Sequence, residues 1–214
     1  MKWLFKPLLV CLLLGAWIAP GYALTSSEAR GLFVQAARGD DNALKTLEQA
    51  AAQGDAVAQT GLGGMYSLGI GVQQDYAQAR AWYEKAAAQG FADAQYFLGL
   101  MYANGEGVQQ DYAQARRWYE KAAAQGHEKA PNNLGMMYAN GQGVPQDYAQ
   151  ARQWYEKAAA QGFAMAQNNL GALYENGQGV RQDKHAAKAW YGKACDAGYQ
   201  LGCDNYRELN EAGF

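Results

Sequence analysis

The hydroxyl side chains of this 214-residue sequence are the first candidates for covalent chemistry, and they are few. A serine becomes a nucleophile for acyl transfer when a base such as lysine or histidine lies beside it. No serine here begins a Ser-x-x-Lys motif or occupies a Gly-x-Ser-x-Gly motif. We therefore predict no catalytic residues. The hydroxyl residues beyond position 23 are Thr25, Ser26, Ser27, Thr46, Thr60 and Ser67.

The two histidines, His127 and His185, are the other candidates for a base or a metal ligand. Neither lies in a His-Glu-x-x-His motif, and no paired carboxylates accompany them. We predict that both are solvent-exposed surface residues. The sequence also predicts no metal site and no cofactor.

Four Trp-Tyr dipeptides could form a stacking platform for sugars or bases, or they could pack in a hydrophobic core. Each dipeptide falls at the same phase of an amphipathic helical pattern, which favours the core. The dipeptides begin at Trp82, Trp118, Trp154 and Trp190.

These dipeptides belong to a sequence repeat with a period of 36 residues. The segment 105–126 recurs almost unchanged at 141–162, and recognisably at 69–90 and 177–198. A fixed period of this length is typical of stacked supersecondary units. The sequence therefore predicts an all-α solenoid of helix pairs.

The first helix of each unit, helix A, is represented by residues 92–104. Its apolar residues Ala94, Leu98 and Met101 follow helical spacing. Gly99 lies in the middle, where glycine costs about 1 kcal/mol relative to alanine. Because a glycine recurs at this place in all four units, we expect a neighbouring helix to approach closely there.

The second helix, helix B, begins after a Gly-x-Gly-Val turn that starts at Gly105. Asp111 is the predicted N-cap, and Gln114 three residues later completes a capping-box pattern. Trp118 and Tyr119 lie on the apolar side of this helix and are expected to face the core.

The repeat divides the chain into segments. We predict a degenerate N-terminal helix pair at 24–54, an atypical end of the kind that repeat arrays usually have. Four full units follow at 55–90, 91–126, 127–162 and 163–198. Residues 199–214 form a C-terminal capping helix that turns polar.

The first 23 residues differ from the rest and resemble a secretory signal. Lys2 and Lys6 precede an apolar stretch at 8–18, and the small residues Gly21 and Ala23 lie shortly after it. This pattern predicts a signal peptide cleaved after Ala23. The alternative is an uncleaved anchor, but the stretch is shorter than the roughly 20 apolar residues that span a bilayer. We predict a periplasmic or secreted protein without membrane insertion.

Charge argues against nucleic acid as a partner. Removing Lys2 and Lys6 from the 18 basic residues leaves 16 against 20 acidic residues, a net charge of −4. No basic run is present, so the sequence has no electrostatic footprint for nucleic acid.

Two cysteines, Cys195 and Cys203, remain after Cys11 leaves with the signal. In an exported chain such a pair is more often a disulfide than a metal site. No Cys-x-x-Cys motif or nearby histidine supplies further ligands. We predict a Cys195–Cys203 disulfide.

The repeat motif resembles a known family. Ala-x-x-x-Leu-Gly-x-x-Tyr, then Gly-x-Gly-Val, then Asp-x-x-x-Ala-x-x-Trp-Tyr-x-Lys-Ala-Ala-x-x-Gly is similar to the Sel-one-like repeat (SLR) of the tetratricopeptide superfamily. The likeness covers residues 43–199. It implies a right-handed α/α superhelix whose concave surface binds peptides or proteins.

The C-terminal cysteine pair resembles that of the secreted cysteine-rich SLR proteins, in which seven residues separate the paired cysteines. Penicillin binding or weak β-lactamase activity has been assigned to some of those proteins. This resemblance implies an alternative function, a protein that binds or weakly hydrolyses β-lactams. The present chain carries the cysteine pair only once.

The repeats differ most just before the shared leucine of helix A, where a concave face would meet a ligand. Asn133 and Asn169 match the position at which tetratricopeptide clamps hold an extended backbone; bonding within the groove or to water is the alternative. We predict a non-enzymatic scaffold that binds a protein or peptide ligand. The predicted binding residues are Tyr96, Phe97, Asn132, Asn133, Asn168 and Asn169.

Overall fold

The computed structural model describes residues 25–214, so the predicted signal peptide lies outside the described residues. Within this range the chain forms eleven α-helices and no β-strand. The helices are α1 (Ser26–Ala37), α2 (Asp41–Ala52), α3 (Ala56–Leu68), α4 (Tyr76–Ala88), α5 (Ala92–Asn104), α6 (Tyr112–Ala124), α7 (Ala130–Asn140), α8 (Tyr148–Ala160), α9 (Ala164–Asn176), α10 (Lys184–Asp196) and α11 (Gln200–Glu211).

Each helix packs against its neighbours in sequence, as in a solenoid of helical hairpins. Among helices that are not successive, the most extensive contacts join odd-numbered helices: α1 with α3, and α9 with α11. The odd-numbered helices are the A helices, so these contacts bring A helices together on one side of the solenoid, which we call the inner or concave face. The predicted all-α solenoid is confirmed.

The turns between helices A and B form as the glycine and aspartate pattern predicts. Gly105 ends α5 in the left-handed conformation, with φ of +75°. Asp111 then caps α6 by accepting a hydrogen bond from the Gln114 backbone N–H at 3.0 Å. The Asp111 N–H itself donates to the Tyr102 carbonyl at 2.9 Å. Because that donor is already satisfied, the glutamine half of a capping box has no role here.

The recurring mid-helix glycine is explained by an aromatic ring of the same repeat. A Cβ atom on Gly99 would lie 2.5 Å from the ring of Tyr119, which extends from helix B. Tyr119 is itself buried, and so is Leu98, the residue that precedes Gly99. The expected close approach is confirmed, and the partner is a tyrosine side chain. The same contact joins Gly63 to Tyr83, Gly135 to Tyr155 and Gly171 to Tyr191.

The tryptophans of the four Trp-Tyr dipeptides are only half-buried, so the prediction that they lie in the core is wrong in this detail. Residues on a helix are separated by about 100° per position, so Trp118 points away from the groove that receives Tyr119. It packs against the cluster that contains Ala86 of the preceding repeat and Leu98 of its own repeat. The Lys121 ammonium lies 4.1 Å from its ring centroid. The same cation–π pair recurs at Lys85–Trp82, Lys157–Trp154 and Lys193–Trp190.

Helix α7 begins two residues later than its counterparts because of a proline. In α5 the backbone N–H of Gln95 donates to the Phe91 carbonyl, which closes the first turn. Pro131 occupies the equivalent place in the third repeat and has no N–H to donate. The helix therefore starts at Ala130, where the proline falls in the first turn.

The C-terminal end is joined by the cysteine pair. The sulfur atoms of Cys195 in α10 and Cys203 in α11 are 1.97 Å apart, the distance of a disulfide bond. Gly202 beside them is buried against Ala194. Of the helices in residues 25–214, none has the length and apolar character needed to cross a bilayer.

Candidate functional site

The two faces of the solenoid differ in charge. Helices α3 and α7 of the concave face contain no charged residue, and α5 and α9 contain one each, Asp93 and Glu175. Helices α4, α6 and α8 on the outer side carry three or four charged residues each. Within the four repeats, apolar and amide side chains therefore dominate the inner helices, whereas the terminal helices α1 and α11 carry charged residues.

A pocket of about 430 Å³ opens on the concave face near its N-terminal end, between α1, α3 and α5. This volume is within the range of roughly 300–1,000 Å³ that is usual for ligand sites. We call it the N-terminal pocket. Phe33, Val57, Phe97 and Leu100 are among its apolar residues, and Arg30, Asp93 and Glu106 are its charged residues.

A second pocket of about 500 Å³ lies on the other side of α5, against the loop that precedes α7. The two pockets share Asp93 and Phe97. Tyr96 lines the second pocket only. The predicted residues Tyr96 and Phe97 are thus at the junction of two neighbouring cavities.

The aromatic side chains at this junction are packed against one another. Phe97 stacks on Tyr83 with ring centroids 5.1 Å apart, and Tyr96 meets Phe97 edge-on at 5.7 Å. Burial raises the pKa of Tyr96, and its hydroxyl lies beside the Asn133 side chain. Asn133 also lies beside the hydroxyl of Tyr119.

The predicted asparagines form a row of side-chain contacts along the concave face. Asn169 donates from Nδ2 to the Asn132 Oδ1 atom at 3.1 Å. Asn205 in turn donates to the Asn168 Oδ1 atom at 2.9 Å. Asn132 and Asn168 are buried, with 2% and 6% exposure, whereas Asn133, Asn169 and Asn205 are half-buried. In each hydrogen-bonded pair the half-buried asparagine is the one that a ligand in the groove can reach. The buried asparagine holds its side chain in place: Asn132 holds Asn169, and Asn168 holds Asn205.

His127 is not the exposed surface residue that we predicted. Its side chain is only 10% exposed and stacks on Tyr96 with a centroid distance of 4.2 Å. Its Nδ1 atom accepts the backbone N–H groups of Lys129 and Ala130 at 3.2 Å each, which caps α7. The cause is its place in the repeat, which is the half-buried position of Phe91. His185 is exposed as expected.

The structure predicts that His127 makes stability depend on pH. Burial lowers its pKa, and Lys129 acts in the same direction, while Asp93 at 3.6 Å and Glu128 oppose the shift. The unfolded chain therefore takes up a proton near the ordinary pKa of 6.5, before the folded protein does. Stability should fall as pH drops below that value. Urea unfolding at about pH 7.5 and about pH 5.5 would measure this loss.

The matched control is His127→Asp, because Asp55 at the same place in the first repeat caps α3 through its carboxylate. This variant keeps an acceptor at the helix start but has no group that titrates near neutral pH. Its loss of stability between the two pH values should be smaller than that of the wild type. Equal losses would contradict the role of His127.

Ser67 and Thr60 are the serine and threonine residues that line the N-terminal pocket, and Ser67 lies near the C-terminal end of α3. Its side chain contacts the hydroxyl of Tyr83, whose pKa is raised by burial and which is therefore protonated at neutral pH. Thr60 donates to the Ala56 carbonyl at 2.7 Å. Across residues 25–214 no group of three or more His, Cys, Asp or Glu side chains is placed to hold a metal ion.

Sequence reasoning missed three features of this face. Asn205 extends the asparagine row into α11, and alignment of α11 with the repeats would have revealed it at the place of Asn169. The capping role of His127 was visible in its equivalence with Asp55. The N-terminal pocket depends on how α1 packs beside α3, and no local pattern indicates that.

The repeats match a known family model. Residues 56–91, 92–127, 129–163 and 164–199 each match the Sel1 repeat, and together they cover well over half of the chain. No curated protein is significantly similar to the chain.

Two solved structures share the fold and part of the sequence. A protective antigen present in uropathogenic Escherichia coli strains, which displays an SLR fold, is 37% identical, with a TM-score of 0.81 over 89% of this chain. A Sel1 repeat protein from Oxalobacter formigenes is 42% identical, with a TM-score of 0.71 over 79% of this chain. The match spans 42% of the first relative's chain and 50% of the second's. The chain therefore belongs to the Sel1 repeat family, whose members generally act as scaffolds for protein–protein interactions.

Proposed function

We propose that this protein is an exported, non-enzymatic scaffold that binds an extended segment of a partner protein on its concave face. The observation that carries the proposal is the pair of neighbouring pockets that share Asp93 and Phe97, on a face where the A helices of the four repeats carry only two charged residues. A groove of this kind suits a linear segment, because successive side chains of an extended peptide can enter successive cavities.

The predicted binding residues take different roles in this proposal. Tyr96 and Phe97 supply apolar contact area at the junction of the pockets. Asn133 and Asn169 bond to the peptide backbone of the partner, since a carboxamide both donates and accepts. Asn132 is buried and acts through Asn169, whose side chain it holds.

Asn168 has the corresponding role toward Asn205. Its Oδ1 atom accepts the Asn205 amide, and its own side chain is almost inaccessible to solvent. A ligand would therefore meet Asn205 rather than Asn168. In this proposal the buried asparagines, Asn132 and Asn168, position their neighbours, and the half-buried asparagines contact the ligand.

Two features support export. The N-terminal 23 residues have the pattern of a cleaved signal peptide, and the Cys195–Cys203 pair is at bonding distance. Disulfide bonds persist in oxidising compartments such as the periplasm.

The asparagines provide the first test of the proposed site. Peptides selected from a random-peptide phage library on the wild-type protein would be measured by fluorescence anisotropy against an Asn133→Ala/Asn169→Ala variant. Each lost hydrogen bond is worth about 0.5–1.5 kcal/mol, so the double variant should bind about tenfold more weakly. Circular dichroism melting would verify that the variant is folded.

Gln153→Ala is the matched control, because Gln153 is exposed on outer helix α8 and the first repeat has an alanine at that place. This variant should bind the selected peptides as tightly as the wild type. Peptides that bind the double asparagine variant as tightly as the wild type, or that lose affinity for Gln153→Ala, would show that the concave site is wrong.

A further inference from the structure

The first full repeat differs from the other three at the residues that line the N-terminal pocket. Gly61, Gly64 and Leu68 of α3 all border this pocket. At the place of Gly61 the other repeats carry Phe97, Asn133 and Asn169. At the place of Gly64 they carry Leu100, Met136 and Ala172, and at the place of Leu68 they carry Asn104, Asn140 and Asn176.

Helix packing does not require glycine at positions 61 and 64. A Cβ atom on Gly61 would lie 3.8 Å from the nearest side-chain atom, and one on Gly64 would lie 3.8 Å from the Tyr83 hydroxyl. Both are ordinary contact distances. Gly63, by contrast, would place a Cβ atom 2.5 Å from the Tyr83 ring. Of the three glycines, only Gly63 is therefore required by the packing of the helices. Gly61 and Gly64 could be replaced by alanine with a gain in helix stability, because glycine weakens a helix interior.

The absence of these two side chains leaves the pocket open. Larger residues at both places, as in the second repeat, would project into the space between α1, α3 and α5. Leu68 adds apolar surface at the rim and is 64% exposed, whereas the other repeats have a polar asparagine there. All three departures from the repeat make the pocket larger or more apolar.

We propose that the N-terminal pocket is a specificity pocket that binds one bulky apolar side chain of the partner segment, of leucine, methionine or phenylalanine size. This inference rests on the proposed function and names the chemistry that the groove selects. The pocket walls are largely apolar, and its volume of about 430 Å³ exceeds the roughly 150 Å³ of a cavity that binds benzene.

A peptide side chain fits this pocket better than a lipid or an apolar small molecule. The pocket shares Asp93 and Phe97 with the second cavity, which Tyr96 lines. The Tyr96 hydroxyl lies beside the side chain of Asn133, one of the half-buried asparagines of the groove. Amide groups are suited to a peptide backbone, which presents alternating donors and acceptors. Because α3 contains no charged residue, an uncharged apolar side chain matches this wall of the pocket; the charged lining residues Arg30, Asp93 and Glu106 lie on α1, on α5 and after α5.

The test fills the pocket with residues that the protein already uses in other repeats. Gly61→Asn/Gly64→Leu copies the residues of Asn133 and Leu100 into the first repeat. Peptides selected on the wild-type protein should share one bulky apolar position, and they should bind the filled variant at least tenfold more weakly. Replacing that peptide residue with alanine should weaken binding to the wild type by a similar factor and have little effect on the filled variant.

A thermal melt verifies that weaker binding is not caused by unfolding, because the filled variant should unfold at or above the wild-type temperature.

If the filled variant binds the peptides as tightly as the wild type while Asn133→Ala/Asn169→Ala does not, the pocket inference is wrong and the proposed groove stands. If no selected peptide depends on an apolar residue, or if a medium-chain fatty acid binds the pocket and no peptide does, the inference is overturned. If neither variant affects peptide binding, both proposals fail.

Discussion

Gly63→Ala should lower the free energy of unfolding by about 2 kcal/mol, whereas the same change at the adjacent Gly64 should raise it by up to about 1 kcal/mol. Alanine at position 63 would place its Cβ atom 2.5 Å from the Tyr83 ring, so the ring or the helix must move. At position 64 the nearest atom is 3.8 Å away, and only the gain in helix propensity remains. Urea unfolding followed by circular dichroism would measure both variants.

The tyrosine ring supplies the control for this prediction. In a Tyr83→Leu background the ring that meets position 63 is absent, so Gly63→Ala should cost much less than in the wild type. The effect of Gly64→Ala should change little between the two backgrounds. Equal effects of the two alanine substitutions in the wild-type protein would refute the steric explanation.

Reduction of the Cys195–Cys203 disulfide should destabilise the C-terminal helix α11 by about 2–3 kcal/mol. The bond closes a short loop, with a sequence separation of 8, between α10 and α11. Because each unit of a solenoid contacts only its neighbours, the loss should be local. Hydrogen exchange should show faster exchange in α11 after reduction and unchanged exchange in α5.

Thiol titration and a cysteine-free variant complete this test. The oxidised protein without residues 1–23, and therefore without Cys11, should contain no free thiol. In this protein Cys195→Ala/Cys203→Ala should exchange in α11 like the reduced wild type. Adding reductant to this variant should have no effect. Two titratable thiols in protein purified under oxidising conditions, or equal exchange in α11 before and after reduction, would contradict the prediction.

The aromatic pair of helix B shows how far a repeating pattern predicts packing. The spacing placed Trp118 and Tyr119 on the same apolar side, and Tyr119 is indeed buried against Gly99. The periodicity of apolar residues does not predict which of two adjacent large side chains is the more deeply buried. That difference depends on which ring meets a glycine on the facing helix and which one packs on the cluster shared with the preceding repeat.

The asparagines show the same limit at the candidate site. Disagreement between repeats pointed to Asn132 and Asn133 as residues free of packing duty. In the structure Asn132 is buried and bonded to Asn169, whereas Asn133 is half-exposed beside Tyr96. Adjacent helical residues point in directions about 100° apart, so one turns into the stack of helices and the other into the groove.

The sequence by itself determined the helical hairpins, their period of 36 residues, the glycine turns and the aspartate caps, because each depends on local conformational preferences and spacing. It also determined the cysteine pair that connects the last two helices. Only the tertiary structure decided the position of His127 under Tyr96, the row of paired asparagines and the N-terminal pocket. These features arise between helices about 30–37 residues apart in the chain, as the separation of 37 between Asn132 and Asn169 illustrates. Their geometry depends on how the repeats stack.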